Sequence, residues 1–162
     1  MSTLAYAAIT TRRDRSRSRA SITADPPGLK TYVDTFAALV PAEVLTAHAI
    51  LVAVTTETTG ATTQIVDAVT LGRSFYGLIL MALVLYVGAR VKAGNWDSLD
   101  YFRAAIPPLA FVGWTMLQRA TAFDAVCPNM RDAPRTAVAI FLGIGLGIAT
   151  TFLAGKADQK QP

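Results

Sequence analysis

The sequence predicts an all-α protein: a polytopic membrane bundle of four transmembrane helices, preceded by a short amphipathic interfacial helix. Three observations carry this. Hydrophobic residues make up 52% of the 162-residue chain and charged residues only 16%, against roughly 25% charged in an average soluble domain. The mean hydropathy is +0.40. The charges sit in short clusters between long apolar runs, and the last run, Thr136 to Ala154, contains none. This composition excludes a disordered chain and an ordinary soluble globule. One cysteine and one histidine leave neither a disulfide framework nor a metal-ligand set, so no metal and no cofactor are expected.

Residues 1–28 read as a disordered basic arm. Arg12, Arg13, Arg15, Arg17 and Arg19 fall within eight residues, with Asp14 as the single acid nearby. No groove-reading motif or basic helix accompanies them, so nucleic acid is not expected as a partner. Beside membrane spans such arginines face anionic lipid headgroups, at about 1 kcal/mol per charge. The Arg- and Ser-rich composition also suits an organelle transit peptide, which keeps an organelle inner membrane as the alternative to a bacterial plasma membrane. A secretory or twin-arginine signal is not expected, because no apolar region follows promptly. Asp25-Pro26-Pro27-Gly28 then breaks the chain.

Across 29–40, Leu29, Tyr32, Val33, Phe36, Leu39 and Val40 recur at helical spacing, with Lys30, Thr31, Asp34 and Thr35 between them. That is an amphipathic helix of about three turns, expected on the membrane surface. It turns or kinks into the first span at Pro41, since proline is tolerated in a first helical turn.

The bundle is expected over 41–156, with spans at about 41–57, 71–90, 103–118 and 136–155, and a tail at 157–162. A span needs about 20 apolar residues. The third stretch is the shortest, yet between Ala104 and Trp114 it has no polar face for a surface helix, and the flanking Arg103 and Arg119 can snorkel. Loops rich in Lys and Arg stay cytoplasmic. Arg90, Lys92, Arg103, Lys156 and the basic arm then share the inner side, with both termini cytoplasmic. A three-span alternative satisfies the same rule, and the apolarity of the third stretch is what favours four. Trp96, Tyr101 and Trp114 suit interfacial anchoring.

Glu43 and His48 are the ionisable residues of the first span, where such groups mark proton or ion paths. Five residues rotate about 500°, leaving the two about 140° apart, so each faces a different side. Glu43 in a first turn also suits the positive end of the helix dipole, and a membrane histidine also serves as a neutral contact between helices. Ala42-Glu43-Val44 in the first span of a four-span chain resembles the small multidrug transporter family over those three residues and the span count. The resemblance implies that Glu43 couples protons to drug export. The chain departs from that family in its basic arm, the charges of its second loop and its strong orientation bias.

Pro41, Pro107 and Pro108 are hinge candidates, because proline removes backbone hydrogen bonds and kinks helices. In the fourth span Ala139, Gly143, Gly147, Thr151 and Gly155 recur every four residues, a small-residue stripe of the kind that lets membrane helices approach closely. It packs within the chain or between subunits. Cys127 lies in the loop before it, either a buried spectator or a bridge between chains. No nucleophile, base and orienting acid can be assembled, so an enzyme is not expected. The leading expectation is a homo-oligomer forming an ion- or proton-conducting pore, with Glu43 and His48 on the path. The alternatives are a non-conducting membrane anchor or accessory subunit that recruits a cytoplasmic protein, and a small proton-coupled exporter.

Overall fold

The computed structural model describes residues 28–94 and 96–158, with side chains through Leu153. The arginines of the basic arm lie outside the described residues. Six helices and one hairpin follow in order: α1 (Leu29–Leu39), α2 (Ala42–Thr55), β1 (Thr56–Thr59), β2 (Thr62–Ile65), α3 (Ala68–Lys92), α4 (Asp100–Met116), α5 (Ala122–Val126) and α6 (Asp132–Asp158).

The helix ends follow local chemistry. Val40 is extended (φ −92°, ψ 136°), as a residue before proline must be, and Pro41 becomes the N-cap of α2. The chain therefore turns by 114° between α1 and α2. Asp67 caps α3 by accepting from the Thr70 amide at 2.9 Å, and Arg90 and Lys92 end the helix, where cations meet the negative pole of the dipole. Thr121 and Asp124 close a capping box at the start of α5.

The Thr-rich segment between the first two expected spans forms a two-stranded antiparallel ribbon, pairing Thr56 with Ile65 and Thr59 with Thr62. β-Branched threonines favour extended backbone. Gly60 takes φ 64° at the first central position of the turn, as a type II′ hairpin requires.

The expectation of four clear spans needs correcting. Among the described residues two helices are long and apolar enough to cross a membrane: α3, with 25 residues, and α6 over Asp132–Leu153, with 22; the bent pair α1 and α2 makes a third if it counts as one span. The turn expected at Pro41 is present, but α2 ends at Thr55, where the hairpin begins, and its 14 residues are too few to cross alone. The third stretch forms α4, a helix of 17 residues that runs through Pro107 and Pro108 without interruption.

α4 packs against α1, α3 and α6, and its buried side chains Ala110 and Phe111 lie in the centre of the core with Phe36, Val44, Leu71 and Ala139. α1 is more than a surface helix, because Phe36 is fully buried. A Cβ on Gly113 would lie 2.5 Å from the Phe36 ring, and one on Gly143 would lie 3.2 Å from it. The ring thus fills a slot that exists only because α4 and α6 each present a glycine there. On the outward faces, α3 exposes Tyr76, Leu80 and Val84 and α6 exposes Phe141, Ile148 and Phe152. The outward faces of α1 and α2 are mixed: they expose Lys30, Asp34, Thr35, Glu43 and Thr46 beside Leu29, Ile50 and Val54.

The slot makes a direct prediction. Gly113→Ala should destabilise the fold by about 1–3 kcal/mol, the usual cost of overpacking a core. Gly77→Ala, where an added Cβ meets nothing within 4 Å, should not lower stability. Thermal unfolding in detergent compares the two.

Candidate functional site

The two ionisable residues of the first span part company at the elbow between α1 and α2. Glu43 lies in the first turn of α2 and is exposed. His48 is only 2% exposed. Its Nε2 accepts a hydrogen bond from the Ala122 amide at 3.4 Å, so the neutral ring carries its proton on Nδ1. The ring meets Phe111 and Trp114 edge to face, with centroids 5.5 and 5.2 Å away. His48 thus ties α2 to α4 and α5, while Glu43 points elsewhere.

The level of Glu43 follows from these contacts. α2 leads through the hairpin into α3, which returns to the end where α4 begins, so α2 and α4 run the same way. His48 is level with Phe111 and Trp114. Glu43, about 7.5 Å further down α2, is therefore level with the Ile106–Leu109 turn, the middle of α4. An exposed carboxylate therefore sits just past the Pro41 bend, near the middle of α4 by this reckoning, with Lys30 and Asp34 exposed on α1.

Two charge clusters that the sequence reading did not single out close the ends of the bundle. At one end Asp100 is fully buried. It accepts from Arg90 at 2.8 Å, from the Asp97 amide at 2.8 Å and from Arg103 at 3.1 Å, and Arg103 also donates to the Leu153 carbonyl at 2.9 Å. One carboxylate and two arginines therefore fasten the ends of α3, α4 and α6. Burial pushes the Asp100 pKa up, but the hydrogen bonds from Arg90, the Asp97 amide and Arg103 outweigh it and hold the carboxyl down at about 2. The sequence signal was the i, i+3 pair Asp100 and Arg103, but the sequence did not reveal that Arg90 would join it.

At the other end Arg135 is 5% exposed. It donates to the carbonyls of Thr115, Met116 and Gln118, pairs with the Asp124 carboxylate, and lies over the Phe123 ring. The Thr115 and Met116 carbonyls belong to the last turn of α4, which no continuing helix satisfies, and Gln118 lies just past the helix end. The turn after it carries Ala120 at φ 54°, a left-handed conformation that costs a non-glycine residue about 1 kcal/mol. Arg135 holds the chain on either side of this turn.

The remaining residues fall into place around this frame. Ala139 and Gly143 of the small-residue stripe are buried inside the chain, Gly147 is half-buried and Thr151 is exposed. The far half of the stripe lines an open groove with Ile144, Ile148 and Phe152; the surroundings of Gly155 lie outside the described residues. Pro107 is buried and Pro108 lines a second apolar groove with Tyr76, Leu80 and Tyr101. Pro41 sits at the bend itself. Cys127 is half-buried at the end of α5 and forms no disulfide. Among the described residues no group of three or more His, Cys, Asp or Glu could hold a metal. Comparison with family models, curated proteins and solved structures finds no match.

The Asp100 cluster has measurable consequences. Its folded pKa is depressed, so its stabilisation is fully present above the ordinary carboxylate pKa of about 3.9 and is lost as pH falls towards about 2. Asp100→Asn should lower stability on the order of 3 kcal/mol near neutral pH by leaving two arginines without their anion. The variant should also lose the part of the acid-induced destabilisation that falls in that window. Unfolding midpoints measured from pH about 5 to about 2 check both.

Proposed function

We propose that this chain is a small multi-pass membrane protein that assembles as a homo-oligomer around an ion- or proton-conducting pore, with the elbow of α1 and α2 turned towards the common axis and Glu43 on the path. The observation that carries the reading is the exposed Glu43 carboxylate at mid-level on the bundle. If α3, α4 and α6 cross the bilayer, that level lies inside the hydrocarbon, where an ionised side chain facing lipid costs at least about 2.5 kcal/mol. Such a group faces water or another protein chain. Lys30, Asp34, Thr35 and Thr46 on the same elbow support a polar lining. The exposed face of α3 carries large apolar side chains and suits lipid.

In this assembly α4 is the remaining crossing. Its 17 residues reach about 26 Å, and Arg103 and Arg119 extend the reach by snorkelling. The Asp100 end, with Arg90 and Lys92, is the cytoplasmic side by the charge rule, as are both termini, and the hairpin is external. The arginines of the arm, Arg12 to Arg19, meet anionic headgroups on the inner leaflet. The open half of the α6 stripe offers a surface for close approach of a neighbouring subunit. His48 is moved from the path to the frame, since aromatic rings and a backbone amide surround it.

A second reading, a non-conducting anchor or accessory subunit, is favoured by one observation: His48, Asp100 and Arg135 all find their partners within the chain. In that case the elbow docks a different membrane protein. The exporter reading draws no support from Glu43, which lines neither apolar groove.

Ion flux from liposomes containing the purified protein separates these. The pore reading expects flux that falls at least about tenfold in Glu43→Gln, an effect of about 1.4 kcal/mol, and is retained in His48→Gln. Sealed liposomes, or flux indifferent to Glu43, would reject it in favour of the accessory role.

A further inference from the structure

We propose that His48 is an acid-sensitive latch that holds the Thr121–Val126 cap against the bundle and releases it on protonation. The argument needs no pore and stands whether or not the chain conducts.

The cap is small. α5 has five residues and packs against α3 and the end of α4. Beside the buried packing of Ala122 and Phe123, with Phe123 against Phe75, three polar attachments hold it: Thr121 Oγ1 donates to the Thr115 carbonyl at 3.0 Å, Asp124 pairs with Arg135, and the Ala122 amide donates to His48 Nε2 at 3.4 Å. Only the last has an acceptor that acid can turn into a donor, since an imidazole takes a second proton. His48 is the only histidine in the chain.

Protonation leaves N–H groups on both ring nitrogens. The Nε2–H would then point at the Ala122 N–H, turning a hydrogen bond into a clash of donors. The surroundings offer the new cation no anion. α4 presents Phe111 and Trp114, each edge to face with the ring, and α5 presents its first backbone amide. The carboxylate of the cap, Asp124, is taken up by Arg135 and the Thr121 amide. On α2 itself Glu43 is exposed on another side, and Arg73 of α3 is exposed as well. The least disruptive response is for Ala122 to move away. Thr121 and Asp124 belong to the same capping box, so the first turn of α5 moves with it and the segment ending at Cys127 opens.

Cys127 is a native reporter. It is half-buried and its amide closes α5 by bonding to the Phe123 carbonyl at 2.8 Å. The full chain in lipid nanodiscs is treated with a pyridyl disulfide, which labels thiols in acid as well as at neutral pH. Labelling should accelerate about tenfold as pH falls from about 7.5 to about 4.5. In His48→Gln, whose amide oxygen keeps an acceptor but cannot titrate, labelling should stay slow throughout. An acid response that survives in His48→Gln, or none in the unaltered chain, would overturn the proposal. Should His48→Gln lose its helical content, Trp96→Phe leaves Trp114 as the only tryptophan, 5.2 Å from His48. Acid quenching of Trp114 with parallel exposure of Cys127 then supports the latch, and quenching without exposure rejects it.

Discussion

The Phe36 ring, held between Gly113 of α4 and Gly143 of α6, determines where the bend at Pro41 lies. Without that slot α1 would be an amphipathic helix free to rest on any apolar surface. With it, the apolar stripe of α1 is buried against the bundle and its polar stripe is turned outward. The bend then sets the starting level of α2, and His48 sets its rotation by meeting Phe111, Trp114 and the Ala122 amide. Glu43 reaches the outside of the bundle, halfway along, through these two constraints, because its neighbours Val40 and Val44 take the inward positions.

The polar groups of the molecule fall into two classes. Asp100 and Arg135 are buried and saturated with partners, and each ties the ends of helices that are distant in sequence. Breaking such a pair leaves an uncompensated charge, so these clusters favour one arrangement of α3, α4 and α6 over its competitors. The groups of the elbow have no such role in the packing. A carboxylate that contributes little to holding the fold together and lies where lipid would be expected is the strongest indication that the chain does something there. It underlies the proposed assembly, whether the path carries ions or only a partner's helix lies against it.

Much of the fold was legible in the sequence because helical periodicity and charge placement are local signals. The α3 and α6 helices, the amphipathic pattern of α1 and the 140° separation of Glu43 and His48 all follow from spacing alone. The unread parts depended on residues far apart in the chain. No periodicity links Arg90 to Asp100, or Arg135 to the last carbonyls of α4. In the sequence Gly143 is one member of a repeating small-residue stripe, whereas its nearest neighbours in the fold are Tyr32 and Phe36, more than a hundred positions earlier. The bend at Pro41 was considered, but its size depends on the slot that receives Phe36. The Thr-rich hairpin is not legible because seven of its eight strand residues are polar and carry no alternation of apolar and polar side chains.

The central claim is that Glu43 sits at membrane depth and faces protein or water, not lipid. A nitroxide at Glu43→Cys, in a Cys127→Ser background and in lipid vesicles, tests it through collision with oxygen dissolved in the hydrocarbon and with a water-soluble nickel complex. The account predicts low accessibility to oxygen together with dipolar broadening from equivalent labels on neighbouring subunits. High accessibility to oxygen, with a sharp spectrum free of broadening, would put the elbow against lipid in a monomer and contradict it.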